Sequence, residues 1–189
     1  RFIVVADVLE DFTALVVELM KAKKMGDPMD DDTDMGPLAR HDLRDELHHQ
    51  VRTSVERGAM CLLGGQIPRG EGFFYPATVL THVKKGMPAF DEELFGPVAA
   101  IVPVKDETEA IAVANDSVFG LGAAIFSQNV ERAEHLAARE IEAGCCFVND
   151  FVRSDPRLPF GGIKKSGYGR ELSVYGIREF VNIKTVYVS

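Results

Sequence analysis

The seven residues at 98–104, Val-Ala-Ala-Ile-Val-Pro-Val, contain no polar side chain. A strand that is apolar on both faces is typical of a parallel sheet covered by helices on both sides. Shorter apolar runs predict six further strands, at 1–5, 60–63, 75–80, 122–126, 145–149 and 183–188. The strand at 60–63 is expected to be buried.

Helical periodicity separates these runs. Apolar residues from Leu9 to Met20 form one stripe, and that helix is expected to end near Lys24. A second stripe runs from Leu43 to Val55 and should stop near Gly58. Three more helices are predicted, at 107–115, 130–140 and 170–180. Alternating strands and helices predict an α/β fold with a largely parallel sheet and helical crossovers.

Composition argues against several classes of partner. A net charge of −8 would repel nucleic acid phosphates and anionic lipid, and no apolar run approaches the roughly 20 residues that span a bilayer. Neither nucleic acid nor a membrane is therefore expected as a partner. The three cysteines, Cys61, Cys145 and Cys146, show no metal-site spacing. Their odd number favours reduced thiols and a cytoplasmic location, and no metal is expected.

Three motifs carry a family resemblance. They are Asp-Glu-Glu-Leu-Phe-Gly-Pro-Val at 91–98, Asn-Asp-Ser-Val-Phe-Gly-Leu-Gly at 115–122 and Pro-Phe-Gly-Gly-Ile-Lys-Lys-Ser-Gly-Tyr-Gly-Arg-Glu at 159–171. In this order the chain closely resembles the NAD(P)-dependent aldehyde dehydrogenase family. The resemblance implies oxidation of an aldehyde to an acid with NAD or NADP, through a cysteine thiohemiacetal. It also implies a catalytic-domain portion at 1–169, followed by a C-terminal helix and oligomerisation strand at 170–189.

Glu93 and Phe95 are the cofactor-binding candidates. In the family, the matching glutamate receives the nicotinamide ribose and the matching phenylalanine steadies the nicotinamide. A carboxylate accepts hydrogen bonds from both ribose hydroxyls, and a neighbouring ring limits how far the nicotinamide swings. The alternative is a surface carboxylate beside a core ring.

Two further residues are candidates for the substrate pocket, and a third is a possible catalytic residue. Phe160 resembles the family's aromatic wall of the aldehyde tunnel, with a plain core position as the alternative. Asn149 is predicted at the end of a strand, where α/β sheets place ligand groups, although it can equally clamp the loop backbone. Glu171 matches a family glutamate that orders water near the nucleophile. Its alternative is a carboxylate at a helix N-terminus.

Ser154 bears on the choice of substrate. In succinate semialdehyde dehydrogenases, a serine at this distance before Pro-Phe-Gly-Gly helps to hold the distal carboxylate. Arg153 and Arg157 are further candidates, because a guanidinium fork matches a carboxylate. The resemblance therefore favours succinate semialdehyde as the small-molecule substrate.

The resemblance also implies that the chain is the C-terminal portion of the enzyme. The nucleophilic cysteine, the general base and the main dinucleotide-binding fold would precede Arg1, so the chain alone is expected to be inactive. Cys145 and Cys146 open an apolar strand without nearby cations and are expected to be inert thiols. The competing hypothesis is a non-catalytic interaction module of the same fold. In either case the last strand is expected to support a homo-oligomer, a dimer or tetramer.

Overall fold

The computed structural model describes all 189 residues, which divide into two compact units, Arg1–Ala110 and Ile111–Ser189. The first unit contains four strands: β1 (Phe2–Val5), β2 (Met60–Leu63), β3 (Thr78–Thr81) and β4 (Val98–Val104). It also contains three helices: α1 (Leu9–Lys21), α2 (His41–Glu56) and α3 (Pro88–Asp91). The next helix, α4 (Glu107–Asn115), has the predicted bounds.

The sheet of the first unit has the order β1-β4-β3-β2. β1 and β3 run parallel to β4, whereas β2 is antiparallel to β3. The sheet is therefore mixed, and the prediction of a largely parallel sheet holds only for its centre. The glycine-rich connection from β2 to β3 contains no helix. Without a crossover helix, the chain folds back beside the strand it has just left.

The core of this unit lies at the centre of the sheet. Val79 and Ile101 are completely buried, with Val4 and Ala99 beside them. The apolar stripe of α1 packs against this cluster, as its periodicity predicts. α1 ends at Lys21, earlier than expected, and α2 ends at Glu56, close to the predicted stop.

Two strand predictions in the first unit need correction. β2 forms where expected, but Met60 and Leu62 are exposed because this strand is an edge of the sheet. β3 begins at Thr78 rather than at residue 75. Pro76 has no N–H to donate to the sheet, which delays the start of pairing.

The second unit contains four strands: β5 (Phe119–Gly120), β6 (Gly122–Ile125), β7 (Cys145–Val148) and β8 (Ile163–Lys164). β6 and β7 pair in parallel, and β5 and β8 pair antiparallel. The helices are α5 (Val130–Arg139), capped by the Asn129 side chain, and α6 (Ser173–Glu179). α6 begins three residues later than predicted, since Leu172 before it has a φ of 63° and lies outside helical geometry.

The predicted strand at 183–188 is wrong for the isolated chain. None of the strand pairs in the structure includes these residues. A strand requires a hydrogen-bonded neighbour, and this segment has none. Ile183 and Tyr187 are 87% and 86% exposed. Elsewhere, no helix combines the length and apolarity that crossing a membrane would require.

Candidate functional site

The segment 92–96, called the α3–β4 turn below, connects α3 to β4 in the first unit. The N–H of Glu92 donates to the carbonyl of Pro88 (2.9 Å), and that of Gly96 donates to the carbonyl of Leu94 (3.1 Å). The Val98 N–H then bonds the Gly96 carbonyl (2.8 Å) as β4 begins. The short α3 and these local bonds fold the chain back before it enters the buried strand.

Glu93 and Phe95 both lie on the outside of this turn. The Glu93 carboxylate is exposed, and the Phe95 residue is 68% exposed. The interpretation of Phe95 as a core ring is therefore wrong. A large exposed ring beside an exposed carboxylate can stack on a flat heterocycle and accept hydrogen bonds from adjacent hydroxyls.

The structure brings together the pocket candidate Phe160 and the catalytic candidate Glu171 in the second unit. The Phe160 N–H donates to the Glu171 carbonyl (2.9 Å), and the Glu171 N–H donates to the Phe160 carbonyl (2.8 Å). This isolated bridge ties the two ends of the 159–171 motif to each other. Glu171 immediately precedes Leu172, the N-cap residue of α6, and lies outside the first turn of the helix.

A cavity of about 420 Å³ lies against β7 in the second unit. Phe160, Arg153 and Asp155 contribute to its wall, together with the residues of β7. Ser154 is exposed, between two residues that line the cavity. Phe160 is half-buried, which is compatible with a pocket wall rather than a sealed core position.

Both candidate arginines are paired with neighbouring aspartates. Arg153 contacts Asp150 at 2.7 Å, and Arg157 contacts Asp155 at 2.6 Å. The hydrogen bonds from Arg157 hold the pKa of the Asp155 carboxyl well below its usual range. Because exposed ion pairs contribute little free energy, an incoming carboxylate can compete with these aspartates for a guanidinium.

Asn149 holds the backbone of a neighbouring loop. It follows β7 with a φ of 54°, and its side-chain Oδ1 accepts from the Ser127 N–H at 2.8 Å. Its Nδ2 donates to the Ser127 carbonyl at 2.9 Å. The side chain therefore acts as the backbone clamp that was the alternative to a direct pocket role.

The surroundings of all three cysteines disfavour the thiolate form. Desolvation by the surrounding protein raises the pKa of the Cys61, Cys145 and Cys146 thiols. Arg170 opposes this shift at Cys145 only in part. Since the thiolate is the reactive form, all three remain poorly nucleophilic at neutral pH.

Gln50 is a site residue that the sequence analysis missed. It is 8% exposed on α2 and donates a hydrogen bond to Glu92 in the α3–β4 turn. A glutamine between Leu47 and Val51, which are both buried, interrupts an apolar stripe. That polar interruption was the signal available in the sequence.

The three motifs resemble those of aldehyde dehydrogenases, and comparison with known proteins agrees. The model of the aldehyde dehydrogenase family matches residues 1–186. The chain therefore belongs to the aldehyde dehydrogenase family.

Two of its relatives are named as succinate semialdehyde dehydrogenases. The chain is 51% identical to a succinate semialdehyde dehydrogenase [NAD(P)+] of Escherichia coli over 187 residues, 99% of this chain and 40% of that protein. The crystal structure of a succinic semialdehyde dehydrogenase from Streptococcus pyogenes, in complex with NADP+, superposes with a TM-score of 0.95. The two sequences are 42% identical, over 100% of this chain and 41% of the other.

A more distant relative is the betaine aldehyde dehydrogenase of Staphylococcus aureus in complex with NAD+. It is 33% identical, with a TM-score of 0.88, over 94% of this chain and 36% of that one. The chain thus spans about two fifths of the length of these relatives. The coverage supports family membership but not the assignment to the C-terminal portion, which stays a prediction.

Proposed function

We propose that this chain is part of an NAD(P)-dependent dehydrogenase that oxidises succinate semialdehyde to the acid. The observation that carries the proposal is the exposed Glu93–Phe95 pair, presented on a hydrogen-bonded turn in a chain of this family. Relatives named succinate semialdehyde dehydrogenase at 51% and 47% identity support the choice of substrate.

The residues of the α3–β4 turn fit the nicotinamide end of the cofactor. The Glu93 carboxylate would accept hydrogen bonds from the two ribose hydroxyls, and the Phe95 ring would restrict rotation of the nicotinamide. When bound, NAD or NADP supplies the hydride acceptor. The work of these two side chains is orientation, which lowers the entropic part of the barrier. The main cofactor-binding fold lies outside this chain in the proposal.

The substrate groups belong to the second unit. Phe160 lines the pocket for the aldehyde chain, and Ser154 donates its hydroxyl hydrogen to the distal carboxylate. Arg153 and Arg157 supply positive charge once their aspartates are displaced. Glu171 orders water, and Asn149 holds the loop that follows β6 through its two hydrogen bonds to Ser127.

The nucleophilic cysteine and the general base belong to another part of a longer polypeptide in this proposal. The raised pKa values of all three thiols support this assignment, and the chain alone is expected to be inactive. Residues 1–169 form a catalytic-domain portion, and residues 170–189 form an oligomerisation element.

A chimera tests this proposal. The aligned 40% of the Escherichia coli relative is replaced by this chain, and NAD(P)H formation from succinate semialdehyde is followed at 340 nm. We expect turnover by the chimera and none by the isolated chain. A folded but inactive chimera would contradict the proposal, and so would turnover by the isolated chain.

Ser154→Ala in the same chimera tests the substrate. Loss of a hydrogen bond to a charged group should raise KM for succinate semialdehyde roughly 10-fold, with little effect on KM for butanal, which has no distal carboxylate. An equal change for both aldehydes would show that Ser154 does not recognise the carboxylate.

The exposed apolar tail favours one additional role. Val186 and Val188 are 77% and 86% exposed in a segment without a strand partner. We propose that this segment becomes a strand by pairing with a second copy of the chain, giving a homo-oligomer. An unpaired extended segment with apolar side chains is a template for such pairing.

A further inference from the structure

One face of α2 lies against the segment 89–96, which contains the α3–β4 turn. The three α2 residues on this face are Leu47, Gln50 and Ser54, which are 1%, 8% and 0% exposed. Their spacing of three and four residues places them in one row on the helix. The row contacts residues of the segment 89–96 at its beginning, middle and end.

Gln50 holds the middle of this segment. Its Nε2 donates to Oε2 of Glu92 at 2.8 Å and to the carbonyl oxygen of Glu93 at 3.3 Å. A primary amide has two hydrogens to donate, so one side chain can make both bonds. The second bond fixes the peptide plane that follows the proposed ribose-binding residue.

Ser54 and Leu47 contact the two ends of the segment 89–96. The Ser54 hydroxyl donates to the Gln50 carbonyl at 2.8 Å and accepts from the Ala89 N–H at 3.0 Å. At the other end, a Cβ on Gly96 would lie 2.2 Å from Cδ2 of Leu47. The end of the turn can approach α2 this closely only because residue 96 is glycine.

We propose that Gln50 is a positioning residue for the cofactor-binding turn. It sets the direction of the Glu93 and Phe95 side chains through the Glu92 carboxylate and the Glu93 carbonyl. The functional part of this inference rests on the proposed function, in which the turn meets the nicotinamide ribose. Small displacements of positioning groups are costly because hydride transfer depends on geometry.

Amide hydrogen exchange, resolved by NMR, tests the positioning role on the 189-residue chain. The probes are the N–H groups of Glu92, Gly96 and Val98, which are hydrogen-bonded at the turn, with α2 amides as internal reference. In Gln50→Leu, exchange at the probes should rise on the order of tenfold, because one or two hydrogen bonds are lost. Exchange at the α2 amides should stay near the wild-type rate.

Gln50→Lys separates hydrogen bonding from space filling. The lysine ammonium can donate to Glu92, so this variant should regain most of the protection. If residue 50 only fills space, the order should be reversed: exchange at the probes should stay near the wild-type rate in Gln50→Leu and rise in Gln50→Lys. The matched control is Arg52→Leu on the same helix, where an exposed ion pair with Glu56 is removed and the turn should not change.

Glu92→Ala keeps the test valid if Gln50→Leu does not fold. Glu92 is exposed, and its replacement removes the stronger of the two Gln50 bonds from the other side. This variant should raise the exchange rate at the same probes. Unchanged exchange at the probes in Glu92→Ala and in every folded Gln50 variant would overturn the proposal.

A second readout distinguishes failure of this inference from failure of the proposed function. In the chimera, Gln50→Leu should raise KM for NADP+ more than it changes kcat, and Gln50→Lys should restore KM. If the turn loosens while KM for NADP+ stays constant in both Gln50→Leu and Glu93→Ala, the positioning contacts stand and the ribose-binding function fails. If Glu93→Ala raises KM but Gln50→Leu neither loosens the turn nor raises KM, only the positioning role fails.

Discussion

Asn149 shows how one residue can shape a site without touching a ligand. Its side chain makes two hydrogen bonds with the backbone of Ser127, at 2.8 and 2.9 Å. Its backbone takes a left-handed conformation, which asparagine tolerates better than most residues. The sequence placed Asn149 correctly at the end of a strand. It could not show which partner its amide would choose, because Ser127 is distant in sequence.

Replacing Asn149 should therefore destabilise the second unit rather than abolish a ligand contact. Asn149→Ala loses both hydrogen bonds and puts alanine at a φ of 54°, so we expect a loss of about 1–2 kcal/mol in the free energy of unfolding. Asn149→Gly loses the same bonds without the backbone strain, so its free energy of unfolding should decrease less. Urea denaturation followed by circular dichroism measures both. Equal stability of the alanine variant and the wild type would contradict the clamp.

At the scale of elements, α2 is fixed to the loop before β3 by a buried aromatic contact. The Tyr75 hydroxyl lies 3.2 Å from Nδ1 of His48, and their rings meet edge to face at 5.9 Å. Tyr75 is 2% exposed. Burial raises the pKa of Tyr75 to about 12 and lowers that of His48, since both groups are favoured in their neutral forms.

Because of this contact, the free energy of unfolding of the first unit should decrease at high pH. The folded state holds the Tyr75 phenol neutral, so its contribution is fully present below about pH 10 and is lost as pH rises towards 12. We expect a decrease of about 1–2 kcal/mol in the free energy of unfolding across this range. Tyr75→Phe should show a smaller decrease. Identical pH dependence of the two proteins in urea denaturation would contradict this account.

Elements with a periodic pattern were predictable, and very short ones were not. The apolar run of β4 and the stripes of α1 and α2 were found at nearly the right bounds, because burial imposes their pattern. α3, β5 and β8 have two to four residues each, which is too short for any periodicity. The bridge between Phe160 and Glu171 was also invisible, since the sequence shows only that both belong to one motif.

At the scale of the whole molecule, the tail at 182–189 contributes surface rather than core. Its residues are exposed, and the sheets are complete without it. The sequence predicted a strand here from the apolar pattern alone. That pattern does not reveal whether the neighbouring strand belongs to the same chain.

Deleting residues 182–189 should leave the free energy of unfolding within about 0.5 kcal/mol of the intact chain, since no buried contact is removed. It should shift the protein towards the monomer. Light scattering coupled to size-exclusion chromatography measures the mass at matched concentrations. As a control, Val186→Lys with Val188→Lys keeps the length but introduces charge and should also weaken association. If both variants form oligomers with the same number of subunits as the intact chain, the tail does not mediate assembly.

The most direct test of the central claim is the KM for NADP+ of the chimera carrying Glu93→Ala. Losing the carboxylate that receives the ribose hydroxyls should raise this KM on the order of tenfold or more. The control Glu56→Ala, which removes another exposed carboxylate of the same unit, should leave it unchanged. Equal KM values for Glu93→Ala and the unmodified chimera would contradict the claim that this turn binds the cofactor.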